Sequence, residues 1–237
     1  MSLATPLTQL AELSVVEEDL AHDLAERDAA WAQAPSGLPG WTRAHVVGHV
    51  AGNAYGLVSL TSWADSGVET PMYPSSEARA EEIERRAALP WGDLLSEVTA
   101  AVAALAEALG NLREPVAARH LTMGSGATVL VTDLAAIRIR EVEIHRVDLA
   151  SDYRASDWSN TFTLRTLGEL VPFFATRRTV PVRHLRCVDT GNCWRVGESG
   201  PDLLGAAADL LAWLLGRQHA SIRTSDDSAL PSAPAWV

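Results

Sequence analysis

Glu141 and His145 stand four residues apart in Arg-Glu-Val-Glu-Ile-His. On an α-helix both side chains then leave the same face, about one 5.4 Å turn apart, which is a spacing at which a carboxylate and an imidazole can share one metal ion. Far upstream, His45, His49 and Asn53 recur every four residues in His-Val-Val-Gly-His-Val-Ala-Gly-Asn, a polar stripe on a segment that is otherwise small or apolar. Two such helices facing inward would close a two-histidine, one-carboxylate site from His49, Glu141 and His145. That donor set is compatible with more than one divalent metal, ferrous iron included, so the ligand count does not name the ion. His45, one turn nearer the helix start, takes a structural or supporting role. Each signal also has a plainer reading: a lone histidine on an apolar helix is more often a hydrogen-bonded core residue, and Glu-x-x-x-His is a common solvated pair. The small neighbours Gly48 and Gly52, which permit close helix packing, and the charged company of Arg138, Arg140, Arg146 and Asp148 favour a site.

Helices must carry these residues, and the hydrophobic spacing supplies them. Leu7, Leu10, Leu13, Val16, Leu20 and Leu24 mark an amphipathic helix from Pro6 to about Gln33. After a Pro- and Gly-rich loop, Thr42 caps a second helix to about Ala64, and Ser75 or Ser76 caps a charged one interrupted at Pro90. Leu94 to Leu109 follows as an Ala- and Leu-rich helix, then a connector with Gly124 and Gly126, then a helix capped by Thr132 that ends near Leu149. Four helices of this kind make a bundle, whose interior is where facing helices pool metal ligands.

The pattern changes after Asp152. Asn160 or Thr161 caps a helix to about Arg177, Val180–Val188 and Cys193–Val196 alternate as a hairpin around Asp-Thr-Gly-Asn, and Leu203 to Leu215 reads as a strongly apolar helix ending at Gly216-Arg217. Ser221 to Thr224 forms a short strand, and Trp236 anchors the tail by burial. The fold class is therefore α+β, an all-helical N-terminal part (1–153) followed by a small α/β part (154–237). Trp41, Trp63, Trp91, Trp194 and Trp213 are expected in the core.

The chain has 237 residues, 47% of them hydrophobic, enough for a sizeable core. A formal net charge of −11 excludes a phosphate-binding surface of the kind nucleic acids need, and no apolar run approaches a membrane span, so a cytoplasmic protein with neither nucleic-acid nor membrane partner is expected. Cys187 and Cys193 flank a turn and are expected to be reduced.

Several segments together resemble the mycothiol-dependent maleylpyruvate isomerases: Gly40 to Ala54, Trp63-Ala64, Gly67-Val-Glu-Thr-Pro-Met-Tyr73, Arg138 to Leu149, Leu214-Leu-Gly-Arg217 and the terminal Pro234-Ala-Trp-Val237. The resemblance implies a DinB-like metal-binding four-helix bundle with a sterol-carrier-like C-terminal domain. It implies zinc bound by His49, Glu141 and His145, a functional arginine at Arg217, mycothiol as thiol cofactor and a small dicarboxylate substrate. The implied reaction is reversible addition: thiolate attacks the alkene of maleylpyruvate, electrons move into the adjacent carbonyl, the new single bond rotates, and elimination gives fumarylpyruvate. Arg217 would bind carboxylate or the developing enolate as a planar fork; the plainer reading is helix-end electrostatics. Glu143 departs from the family pattern, which tends to have Trp there, and so bears on the pocket wall. A mycothiol S-transferase and a non-enzymatic metal-binding protein are the rival readings, and Glu-Thr-Pro-Met-Tyr favours the isomerase.

Overall fold

Helical period dominates the first two thirds of the chain, and the computed structural model, which describes residues 6–113, 116, 118–122, 128–176 and 180–233, divides into two compact units, Met1–Ala150 and Ser151–Val237. In the first unit the helices are α1 (Pro6–Ala25), α2 (Ala29–Gln33), α3 (Arg43–Ser66), α4 (Ser76–Ala87), α5 (Trp91–Gly110) and α6 (Leu134–Asp148). Among the described residues α1, α6, α3 and α5 pack in that order into a closed ring, with α4 against the outside of α3. The expected bundle is present. Among the described residues no helix is long and apolar enough to cross a membrane.

The ring closes because each helix has an apolar stripe to bury. Leu13, Val16, Leu20 and Leu24 of α1 and Leu94, Val98, Ala101 and Leu105 of α5 are all buried, and each large side chain removed from water contributes about 1.5–3 kcal/mol. α3 differs: apolar or small nearly all round, it is covered by α4, α5 and α6 together. Its glycines make that possible. A Cβ at Gly48 would lie 2.9 Å from Arg86 Cβ, one at Gly52 would lie 3.1 Å from the Tyr73 hydroxyl, and one at Gly56 would lie 2.9 Å from Met72 Cε. The glycine column thus seats α4 and the 72–73 segment against the helix backbone.

One charge pair runs through the apolar interior. Arg138 of α6 has no exposed surface. Its Nε and Nη2 donate to the two carboxylate oxygens of Glu17 on α1 (2.6 and 3.3 Å), and its Nη1 donates to the Val50 carbonyl (2.7 Å) and Asn53 Oδ1 (3.0 Å) of α3. A single guanidinium therefore sets the register of three helices.

Local expectations fared unevenly. Thr42 caps α3 and Ser75 caps α4, as expected. The helix drawn from Pro6 to Gln33 is two helices, because Asp28 adopts extended backbone and its carboxylate accepts from Trp31 N–H at 2.8 Å, starting α2 anew. Thr132 is not a cap: it sits inside a 3-10 turn, Val131–Asp133, that leads into α6 without a side-chain cap. Gly124 and Gly126 lie outside the described residues, but the chain on either side pairs as β1 (His120–Thr122) with β2 (Thr128–Leu130).

In the second unit α7 (Asn160–Ala175) is capped by Ser159, not by Asn160 or Thr161. The sheet order is β4 (Cys193–Arg195), β3 (His184–Cys187), β5 (Leu203–Gly205), β6 (Ile222–Thr224). β3 and β4 form the expected hairpin. Leu203–Gly205 is not helical: it lies between β3 and β6, parallel to the first and antiparallel to the second. A short apolar run reads alike as buried strand or helix, and burial between two strands decided it. α8 (Ala207–Leu214) follows and packs on β3 and β5. Of the five tryptophans expected in the core, Trp213 is buried and Trp41, Trp63, Trp91 and Trp194 are only half-buried, whereas Trp158 is buried. Arg177 and residues 234–237, with the Trp236 anchor, lie outside the described residues.

Removing one partner of the interior pair should cost far more than a surface bridge. Glu17→Ala leaves the Arg138 charge buried without a counter-ion, and a loss of about 3–5 kcal/mol is expected in urea unfolding. The double variant Glu17→Ala/Arg138→Met should recover part of it. Equal stability of Glu17→Ala and wild type would sink the assignment of the pair as the clamp.

Candidate metal centre

α3 and α6 bring the three sequence-singled residues together. His49 Nε2 is 3.1 Å from His145 Nε2 and 3.4 Å from Glu141 Oε2, and Glu141 Oε2 is 3.7 Å from His145 Nε2. The imidazoles meet edge to face, at 89°. Among the described residues this is the one group of three or more such side chains whose donor atoms converge in this way. Tetrahedral zinc with nitrogen and oxygen ligands at about 2.0–2.2 Å sets donors about 3.3–3.6 Å apart, so the observed triangle fits one ion with small adjustments.

The surroundings orient the donors. His145 Nδ1 lies 2.8 Å from Asp148 Oδ2, and Asp148 is itself buried. That carboxylate holds a proton on Nδ1 and aims Nε2 at the centre, the usual support of a ligating histidine. Asp148 is three residues beyond His145, a spacing visible in His-Arg-Val-Asp once the helix is known. Trp41, expected in the core, instead walls the centre, its ring 5.9 Å from that of His49 and stacked at 6.2 Å on His45. His45 is structural: its Nδ1 accepts from Thr42 N–H, completing the cap of α3, and its Nε2 meets Glu84 at 3.2 Å.

Electrostatics divide the group. Burial holds His49 below the ordinary histidine value, against the pull of Glu141, and so keeps it neutral. Burial acts the same way on His145, but the hydrogen bonds with Asp148 and Glu141 prevail and raise it. Burial alone would raise Glu141; the hydrogen bonds from His145 and His49 overcome it and hold the carboxyl well below its usual range. Glu141 is therefore a carboxylate at neutral pH.

Arg79 borders the centre without any signal in the sequence pattern, and Tyr73, the last residue of the resembling segment Gly67–Tyr73, lies beside it. Arg79 of α4 donates from Nη2 to His49 Nδ1 at 3.4 Å, and its guanidinium lies 5.9 Å from the centre of the Tyr73 ring. The Tyr73 hydroxyl is buried, with no hydrogen-bond partner among the described residues. Burial raises it above the ordinary tyrosine value, so it is a donor at neutral pH. Glu143, by contrast, is no part of the centre. Two residues from Glu141 on a helix is about 200° of rotation, and Glu143 lies 3.9 Å from Arg146, which pairs with Asp19 and Asp23 of α1.

Arg217 belongs to the second unit. Gly216 has φ +70°, Gly216 N–H donates to the Trp213 carbonyl and Arg217 N–H to the Ala212 carbonyl, the paired bonds of a Schellman end to α8. One of its side-chain bonds runs from Nη1 to the Leu215 carbonyl at 2.6 Å. Cys187 and Cys193 are both free thiols; Cys187 is buried, which pushes it up to about 11, and Cys193 is exposed.

Comparison with known proteins gives one family and one structural relative in two forms. Residues 13–150 match the model described as the mycothiol maleylpyruvate isomerase N-terminal domain. The crystal structure of the mycothiol-dependent maleylpyruvate isomerase, and that of a histidine-to-alanine variant of it, each superpose with a TM-score of 0.90 at 28% identity, covering 98% of this chain and 97% of the other. No curated protein matches the sequence.

Asp148→Asn tests the support of His145. The amide keeps the shape but loses the charge that fixes the tautomer, and the affinity for zinc should fall about ten- to a hundredfold in a competitive chelator titration, with the helical circular dichroism spectrum unchanged. Unaltered affinity would mean that the Asp148 charge does not support a ligating His145.

Proposed function

The chain belongs to the family of the mycothiol maleylpyruvate isomerase N-terminal domain, and from that premise we propose that it is a cis–trans isomerase converting maleylpyruvate to fumarylpyruvate, with mycothiol as the thiol and zinc held by His49, Glu141 and His145. The observation that carries this reading is the convergence of three donor atoms from two helices to separations of 3.1–3.7 Å. Bound there, zinc would supply an open coordination position at which a thiol loses its proton, whereas a free thiol, with a pKa of about 8.5, is only a few per cent thiolate at neutral pH.

The chain's own residues have separable tasks. His49 stays neutral because it is buried, Asp148 aims His145, and the ionised Glu141 supplies one negative charge. Trp41 shields the imidazole edge from water. Arg217 is assigned to the substrate carboxylate or the enolate oxygen, a task that suits a planar fork of donors. The acidic chain, with its small-molecule chemistry, is assigned to the cytoplasm, without a nucleic-acid or membrane partner.

This reading takes its thiol from outside the chain: Cys187 is buried and held as a thiol, and both cysteines lie on the β3–β4 hairpin of the second unit and not on the helices that carry the donors. The Cys187→Ser/Cys193→Ser variant should therefore keep wild-type turnover. Loss of turnover with zinc intact would move the chemistry to a protein cysteine. The principal test is turnover of maleylpyruvate with and without mycothiol, on zinc-loaded and chelator-stripped protein: activity should need both. Release of a thiol conjugate in place of fumarylpyruvate would replace the isomerase with a transferase. Arg217→Lys should lower the rate by about tenfold or more, the loss of a charge-assisted hydrogen bond, at unchanged zinc content; near-native kcat and KM would leave Arg217 as a helix terminus only.

A further inference from the structure

Arginines in the first unit are as a rule neutralised where they are buried. Arg86 pairs with Glu82 and Glu97, Arg138 with Glu17, and Arg146 with Asp19 and Asp23. Arg79 is half-buried on the same helix as Arg86, yet among the described residues its partners are an imidazole nitrogen and an aromatic face, with no carboxylate. Beside it the Tyr73 hydroxyl is buried and unpartnered, pressed so close to α3 that a Cβ on Gly52 would sit 3.1 Å away. A buried hydroxyl without a partner has lost its hydration and gained nothing in exchange. Two donors thus border one metal centre, and neither has an acceptor suited to it.

The contact with His49 is also one that a ligating histidine must give up. When Nε2 of a neutral imidazole donates its lone pair to a metal, the ring proton resides on Nδ1. A guanidinium has only donors, so Arg79 cannot hydrogen-bond that face and is left to seek an acceptor. Charge points the same way: a divalent cation and one guanidinium exceed the two carboxylates, Glu141 and Asp148, by one positive charge, which a carboxylate ligand would offset.

We propose that Arg79 and the Tyr73 hydroxyl form the carboxylate-binding side of the centre, the guanidinium pairing with one carboxylate of a small dicarboxylate substrate and the phenol donating to an oxygen of the same molecule. This rests on the function proposed above for its substrate class, but the binding itself is tested apart from turnover. The glycine column of α3 is then part of the recognition device, since it is what lets Tyr73 reach its position.

The experiment uses the zinc-loaded full chain and maleate as probe, without thiol so that nothing reacts, in calorimetric titration. Zinc content and melting temperature are measured on every variant, and affinities are expressed per zinc-loaded site. Arg79→Met should weaken maleate about ten- to a hundredfold, as expected for a charge-assisted hydrogen bond, and Arg79→Lys should fall between Arg79→Met and wild type. Tyr73→Phe should weaken it about fivefold. Arg85→Met, at an exposed position on the same helix, should bind as wild type does. Unchanged maleate affinity in Arg79→Met and Tyr73→Phe overturns the proposal, as does wild-type protein that fails to bind maleate. Loss of zinc from Arg79→Met with per-site affinity unaltered overturns it too, and makes Arg79 a support of His49. Wild-type protein that binds maleate through Arg79 yet does not turn over maleylpyruvate with mycothiol upholds the anion site and rejects the isomerase.

Discussion

A guanidinium with no exposed surface can stay in an apolar interior only if its charge and its N–H groups are met, and the way Arg138 is met organises the first unit. Its carboxylate partner comes from α1 and its carbonyl and amide partners come from α3, while Arg138 itself rides on α6. Misplacing α1 or α6 by a turn would leave the charge without its counter-ion, at a cost of several kcal/mol, and misplacing α3 would leave its Nη1 donor unmet. The pair acts as a gauge of register more than as a source of net stability. Because Arg138, Glu141 and His145 follow at intervals of three and four, fixing the rotation of α6 through Arg138 also fixes the face on which the two donors emerge. Asn53, which meets Arg138, is one turn from His49, so the same contact indexes both halves of the donor set.

The second constraint is space. A helix lined by Gly48, Gly52 and Gly56 lets neighbours approach its backbone, and Arg86, Tyr73 and Met72 occupy that room. The consequence for chemistry is that polar groups from α4 and the segment before it reach the rim of a centre whose donors come from α3 and α6. Glycine here weakens intrinsic helix preference by about 1 kcal/mol per residue, a cost offset by burial on several sides of α3. The centre thus has neutral, buried His49, an oriented His145 and an ionised Glu141 under a wall formed by Trp41.

Elements whose cause is local are legible in the sequence. Thr42 and Ser75 announce helix starts because an N-cap needs only a side-chain oxygen and the next turn's N–H. The β3–β4 hairpin is legible from its turn residues. Failures fall where the deciding contact is remote or subtle. Leu203–Gly205 looks like the start of α8 but is a strand because β3 and β6 flank it. Thr132 looks like a cap, yet the 3-10 turn before α6 spends its backbone differently. The break at Asp28 is a capping event hidden inside a continuous apolar period.

Sequence alone determined the alphabet of the centre: Glu141 and His145 share a face because four residues nearly complete a helical turn, and His49 sits on a segment too small and apolar to be a surface helix. It could also place Asp148 beside His145, since three residues is again a same-face interval. Only the tertiary structure decided that His49 meets the other two, because that depends on how α3 and α6 are rotated about their axes, which the Arg138 contacts set. It also decided that Glu143 turns away toward α1 and that Trp41 is a wall and not core. Arg79 carries no periodic or motif signal, and Tyr73 stands out only as the end of the resembling segment Gly67–Tyr73, with no role read from it: both lie where they do because the glycine column admits the segments that bear them, and a contact between distant parts of a chain has no expression in local spacing.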